Sequence, residues 1–109
     1  MSDNPRPQLY GARYTALLAN RAAEPADEAY TVAGLHCEEE AIARRVLLPA
    51  EPRRGDVLAV PATGAYTLAL GSNYNVVPRP AAVLVRGGEA RVVRRRETLE
   101  DLLALEQST

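Results

Sequence analysis

A chain of 109 residues suffices for one domain, which on folding hides roughly two-thirds of the surface its unfolded form exposes. With 47% hydrophobic and 25% charged residues the composition is globular, and a formal net charge of -1 offers no field for nucleic acid or anionic lipid. No apolar run approaches the roughly 20 residues that span a bilayer, residues 1–10 hold Asp3, Arg6 and two prolines where a signal peptide needs an apolar stretch, and a single cysteine closes no internal disulfide; the reading is a cytoplasmic chain that binds neither membrane nor nucleic acid.

The opening residues 1–10 read as a loop, because Pro5 and Pro7 flank Arg6 and disfavour regular structure. Residues 14–20 suit a strand or short ordered segment, and 21–28 a connector. Strands are expected at 29–35 and 42–48, the second stopped by Pro49, with Cys37 and three glutamates between them. Pro52-Arg-Arg-Gly-Asp56 signals a turn before a strand at 57–60 that Pro61 breaks. Residues 67–70 suit a short helix. Gly87-Gly88 between the β-branched runs 82–86 and 90–95 marks a hairpin, since that dipeptide supplies the positive φ angles of a tight turn. Residues 98–106 predict a terminal helix, with Thr98 as N-cap and Asp101 three residues on. Strands dominate, so the class is mainly β.

One omission constrains the chemistry. All 13 positive residues are arginine, and lysine is absent. A chain without lysine cannot hold an aldehyde cofactor as a side-chain imine.

Separated stretches of the sequence carry a family resemblance. They are Ser2-Asp-Asn-Pro-Arg-Pro-Gln-Leu-Tyr10 continuing to Arg13, His36-Cys-Glu38, Gly55-Asp56 with Gly64-Ala-Tyr66, Ser72-Asn-Tyr-Asn75 with Pro78-Arg-Pro80, and Arg95-Arg-Glu-Thr98 before Glu100-Asp-Leu-Leu103. In order and spacing they resemble the C-terminal segment of the diaminopimelate decarboxylases, among the fold-type III enzymes that use pyridoxal phosphate. The resemblance implies a Greek-key-like β-barrel or sandwich with a short C-terminal helix, residues 1–13 being an arm that follows the last strand of a (β/α)8 barrel and 14–109 the β-domain proper. It implies that the barrel, with its Schiff-base lysine and phosphate-binding loops, lies outside this chain. It also implies a homodimer with shared active sites. One stretch departs from the family: Cys37-Glu-Glu-Glu-Ala41 stands where Cys-Glu-Ser-Gly-Asp is usual and is one residue shorter, which puts contacts made by that loop's backbone in question while Cys37 and Glu38 are retained.

The resemblance also assigns roles. A diacid with two amino-acid ends must be addressed at the end that does not react, and Arg6 with Tyr10 would take the distal carboxylate, a guanidinium fork plus a phenol. On the residues alone, Arg6 is a solvated loop charge and Tyr10 a packing residue. Glu38 would take the distal ammonium, whereas Glu39 and Glu40 read as solvated. Cys37, otherwise a small buried hydrophobe, would be a weak acid in the partner subunit's site. Tyr66, otherwise a core tyrosine, would touch the cofactor phosphate and the reacting end, with Gly64 letting its loop approach closely. His36 receives no role; the asparagines of 73–75 read as loop-structuring, and Arg94-Arg-Arg96 as salt-bridge partners of the acids that follow. Related decarboxylases of ornithine, arginine or carboxynorspermidine, and a noncatalytic β-module, remain alternatives.

The missing lysine has a direct consequence. Borohydride reduction of the chain mixed with pyridoxal phosphate, followed by mass analysis, should find no adduct on any side chain, the free N-terminal amine being the one site open to it.

Overall fold

Pro5 and Pro7 start a helix instead of preventing one. In the computed structural model, which describes residues 2–37 and 41–107, helix α1 spans Arg6–Tyr10 with Pro5 at its N-cap and a proline in its first turn. The first backbone N–H groups of a helix have no partner within it, so a proline there removes nothing. The Pro5 carbonyl accepts from Leu9 N–H at 2.9 Å. Gly11 closes the helix in the left-handed region at φ 64, its N–H donating to Pro7 O.

Two compact units follow, Asp3–Leu70 and Gly71–Thr109 with Ser2. In the first, the expected segment at 14–20 holds only a two-residue strand, β1 (Leu17–Leu18), before a 3-10 turn at Ala19–Arg21. It pairs antiparallel with β4 (Leu58–Ala59). Strands β2 (Glu28–Ala33) and β3 (Ala41–Leu48) form the main antiparallel ladder. Its register jumps from Tyr30↔Val46 to Val32↔Ala43, so β3 carries an extra residue, and Arg45 takes φ 55 there. This bulge resets which side chains face inward: Ala43, Val46 and Leu48 are buried while Arg44 and Arg45 stay exposed. Ala16, Ala43 and Val46 make a small core, with Tyr14, Val32, Ile42 and Val60 packed against it.

So small a core is supplemented by polar staples. Arg21 donates to Glu24 Oε2 at 2.6 Å, to Asp56 Oδ2 at 3.2 Å and to Ala50 O at 3.0 Å. Asn20 donates to Asp56 Oδ1 at 2.9 Å and accepts from Val57 N–H at 2.7 Å. The turn signalled by Pro52-Arg-Arg-Gly-Asp56 is thereby fastened to a segment more than 30 residues away in sequence.

In the second unit, β5 (Ala82–Arg86) and β6 (Glu89–Arg94) form the expected hairpin, with Gly87 and Gly88 at φ 59 and 81. Helix α3 (Leu99–Leu103) begins with the expected cap, Thr98 N–H donating to Asp101 Oδ2 at 2.8 Å and Asp101 N–H returning to Thr98 Oγ1 at 3.4 Å. Glu97 accepts from Arg79 N–H at 2.8 Å and from Asn73 Nδ2 at 2.6 Å, and pairs with Arg94 at 3.6 Å. The protein is mainly sheet with few helices. Its described ladders are three two-stranded pairs, and no helix among the described residues is long and apolar enough to cross a membrane.

The Asp56 carboxylate is held at about 2 by the Arg53 backbone N–H, the Asn20 amide and the Arg21 guanidinium. A depressed folded-state value adds stability above the ordinary carboxylate range and loses it as pH falls. Thermal melts of wild type and Asp56→Asn should therefore differ most near neutrality, with wild type the higher, and converge as pH drops from about 4 toward 2.

Candidate functional site

Two of the residues singled out in the sequence stand one turn apart on α1, since residues four apart share a helix face. Arg6 is partly buried and Tyr10 is 66% exposed. Asn4 sets the entry to the helix: it is buried, its Oδ1 accepts from Arg6 N–H at 3.4 Å, and its Nδ2 has no partner among the described residues. Beyond the backbone, Arg6 Nη1 donates to the Tyr14 hydroxyl at 3.2 Å. Its guanidinium carbon lies 5.4 Å from the centroid of the Tyr66 ring, within cation–π range.

Tyr66 reaches that position through its own backbone. Residues Gly64–Leu70 form α2, interrupted where Ala65 is extended and Tyr66 takes φ 69. The sequence points to Gly64 as the permissive residue, but Gly64 keeps a φ open to any residue and a Cβ there would meet nothing within 4 Å. The left-handed residues are instead Ala62 and Tyr66. A tyrosine in that region costs conformational energy that neighbouring structure must offset, a pattern frequent at binding sites. The Thr63 hydroxyl donates to Val60 O at 3.3 Å and the Thr67 hydroxyl to Thr63 O, tying down both ends of the kink.

Cys37 is a free, exposed thiol in the connection between β2 and β3. Glu38, its neighbour in the motif, lies outside the described residues, as do Glu39 and Glu40. Thus Arg6, Tyr10 and Tyr66 belong to one compact unit, with Arg6 and Tyr66 in direct contact. Tyr14 is the participant that sequence reasoning missed. It sits eight residues from Arg6 and four past the end of α1, so no helix pattern announces the contact.

The chemistry available is recognition of an anion. An arginine whose guanidinium is held by a phenol and an aromatic face presents its remaining N–H donors as a fork that matches a carboxylate. Tyr66 is as exposed as Tyr10, so these groups form an open surface. Without lysine the chain has no tether for pyridoxal phosphate; the exposed phenol of Tyr66 can offer a hydrogen bond and nothing stronger. Among the described residues no three His, Cys, Asp or Glu gather to hold a metal.

Comparison with known proteins supplies the family. Residues 1–64 match the pyridoxal-dependent decarboxylase C-terminal sheet domain, and the chain belongs to that family. Within this class its relatives are diaminopimelate decarboxylases. The protein of that name from Actinosynnema pretiosum is 57% identical over 107 residues, and that from Bacillus subtilis 47%; each match covers 97% of this chain and 24% of the relative. The crystal structure of diaminopimelate decarboxylase from M. jannaschii in complex with L-lysine has TM-score 0.87 at 32% identity, covering 100% of this chain and 25% of the other. The Helicobacter pylori enzyme complexed with L-lysine gives 0.81 at 33%, covering 97% of this chain and 26% of the other. The chain thus spans about a quarter of the length of these relatives.

The glycines around the site separate by experiment. Gly11→Ala forces a Cβ into the left-handed region and should cost about 1 kcal/mol of stability, whereas Gly64→Ala should change it by less than about 0.5 kcal/mol. Urea unfolding of both variants measures the contrast.

Proposed function

We propose that this chain is the C-terminal part of a diaminopimelate decarboxylase, which removes one carboxylate of meso-diaminopimelate to give L-lysine. The observation that carries the reading is the 57% identity to a protein of that name across 97% of the chain, a match that spans Arg6, Tyr10, Cys37, Glu38 and Tyr66 together. The full enzyme then includes a (β/α)8 barrel that holds the lysine. When bound, pyridoxal phosphate supplies the electron sink for the carbanion left as carbon dioxide departs.

This chain's own residues do the rest. Arg6 and Tyr10 bind the carboxylate at the distal, unreacting end of the substrate, and Glu38 binds the ammonium beside it. Together they demand an amino-acid group at that end and so disfavour ornithine, arginine and carboxynorspermidine. Tyr66 stacks on Arg6 and hydrogen-bonds toward the cofactor. Cys37 is the weak acid that returns a proton to the carbon from which carbon dioxide left.

The exposure of Tyr10, Tyr66 and Cys37 supports a site completed by other surfaces. We place the barrel on one side and a partner subunit on the other, in a cytoplasmic homodimer. Residues 1–13 are the arm that follows the barrel, and 14–109 are the β-domain, a Greek-key-like barrel or sandwich. Both faces of the β5–β6 hairpin expose large apolar side chains, Leu84 and Val85 among them. An isolated two-stranded hairpin is marginal, which fits further protein packing there.

The shared site is tested by complementation in the full-length enzyme. One inactive version carries Cys37→Ala with Glu38→Gln; the other lacks the barrel lysine. If the Cys37 loop serves the partner, each mixed dimer has one intact and one doubly damaged site. Random exchange in an equal mixture makes half the dimers mixed, so activity should recover to about a quarter of wild type. Failure to recover, with exchange verified by mixed tags, means that Cys37 and Glu38 act within their own subunit or not at all.

A further inference from the structure

Arg6 is a flexible side chain on a five-residue helix, and neither its position nor the family match says how its guanidinium is oriented. The structure supplies two constraints. The Tyr14 hydroxyl takes Nη1 at 3.2 Å, and the Tyr66 ring lies 5.4 Å from the guanidinium carbon. Tyr14 is not a surface accessory, because its ring packs on the core of Ala16, Ala43 and Val46. Its oxygen is therefore a fixed point set by the unit's interior, and the bond it accepts fixes the rotation of the guanidinium about its stem.

We propose that Tyr14 is the positioning residue of Arg6, holding Nη1 so that the Nε–Nη2 edge is the one offered to the substrate's distal carboxylate. A carboxylate needs two parallel N–H groups, and the guanidinium has two edges that supply them. The edge that includes Nη1 is compromised by Tyr14, while Nε and Nη2 make no hydrogen bond among the described residues. The Tyr66 ring, its centroid 5.4 Å from the guanidinium carbon, adds a cation–π contact that further limits how the group can turn. The inference rests on the reading of Arg6 as the carboxylate address and adds the residue that aims it.

The test uses the full-length enzyme with meso-diaminopimelate and three variants: Tyr14→Phe, Arg6→Ala and the two combined. Phenylalanine keeps the ring against Ala16, Ala43 and Val46 and deletes only the oxygen, so the melting temperature reports whether packing survives. The expected result is a KM raised about 3- to 10-fold by Tyr14→Phe, less than the loss of a direct bond to the substrate because only the aim of Arg6 is relaxed, with kcat within about twofold. In the Arg6→Ala background the same substitution should move KM by less than about twofold, because Tyr14 then has nothing to aim. A KM unchanged by Tyr14→Phe while Arg6→Ala raises it strongly overturns the inference and leaves the functional reading standing. An equal KM rise with and without Arg6 overturns it too, since that is what a purely structural tyrosine would do. If Tyr14→Phe melts early, the KM comparison is made well below its melting temperature with and without Arg6→Ala: a rise confined to the background that keeps Arg6 supports the role, and an equal rise in both counts against it. Arg6→Ala without effect on KM brings down the functional reading itself.

Discussion

The packing of the Tyr14 ring on Ala16, Ala43 and Val46 is the constraint from which the candidate site follows. It exists because β3 bulges at Arg44 and Arg45, which turns Ala43 and Val46 to the same side across two charged residues. Without the bulge, strict alternation would put residues 43 and 46 on opposite faces. The small alanines at 16 and 43 leave room for a ring, and the ring's hydroxyl then emerges where Arg6 can reach it. A core interaction thus sets the direction of a surface charge.

Apolar burial in this chain is modest, and polar staples carry much of the long-range connectivity. Arg21, Asn20 and Asp56 bind the 3-10 turn after β1 to the loop before β4. Glu97, Asn73 and Arg79 do the same within the second unit. In both cases a carboxylate accepts from a backbone N–H and an asparagine side chain together. That combination fixes position more tightly than a lone exposed ion pair, because hydrogen-bond direction adds to charge. It also makes both clusters sensitive to acid, as is the Asp101 cap of α3, whose carboxyl is likewise held below the ordinary range.

Tyr66 shows the opposite economy. Its backbone sits in a region that disfavours side chains, and the neighbouring threonines hold the kink. The ring that results from this strain is the one lying over Arg6. A relaxed helix through Gly64–Leu70 would give residue 66 a helical direction and withdraw the stack.

The sequence by itself determined the elements whose signals are local. Gly87-Gly88 dictates a turn by its φ angles, and Thr98 with Asp101 dictates a helix start by satisfying orphan N–H groups. The run 42–48 declares a strand, and the arginine-only positive set excludes an imine. The ordered motifs named the family, and the identity of relatives over nearly the whole chain agrees. What sequence reasoning misplaced was context-dependent: Pro5 and Pro7 read as loop formers because their tolerance at a helix start depends on where the helix begins, and Gly64 drew attention that belonged to Tyr66. Only the tertiary structure decided that Tyr14 faces Arg6 and that Tyr66 lies across it. Those contacts join residues 8 and 60 positions apart through a bulge and a kink, and the energy that sets them is packing and backbone strain summed over distant segments, which no local pattern of residues records.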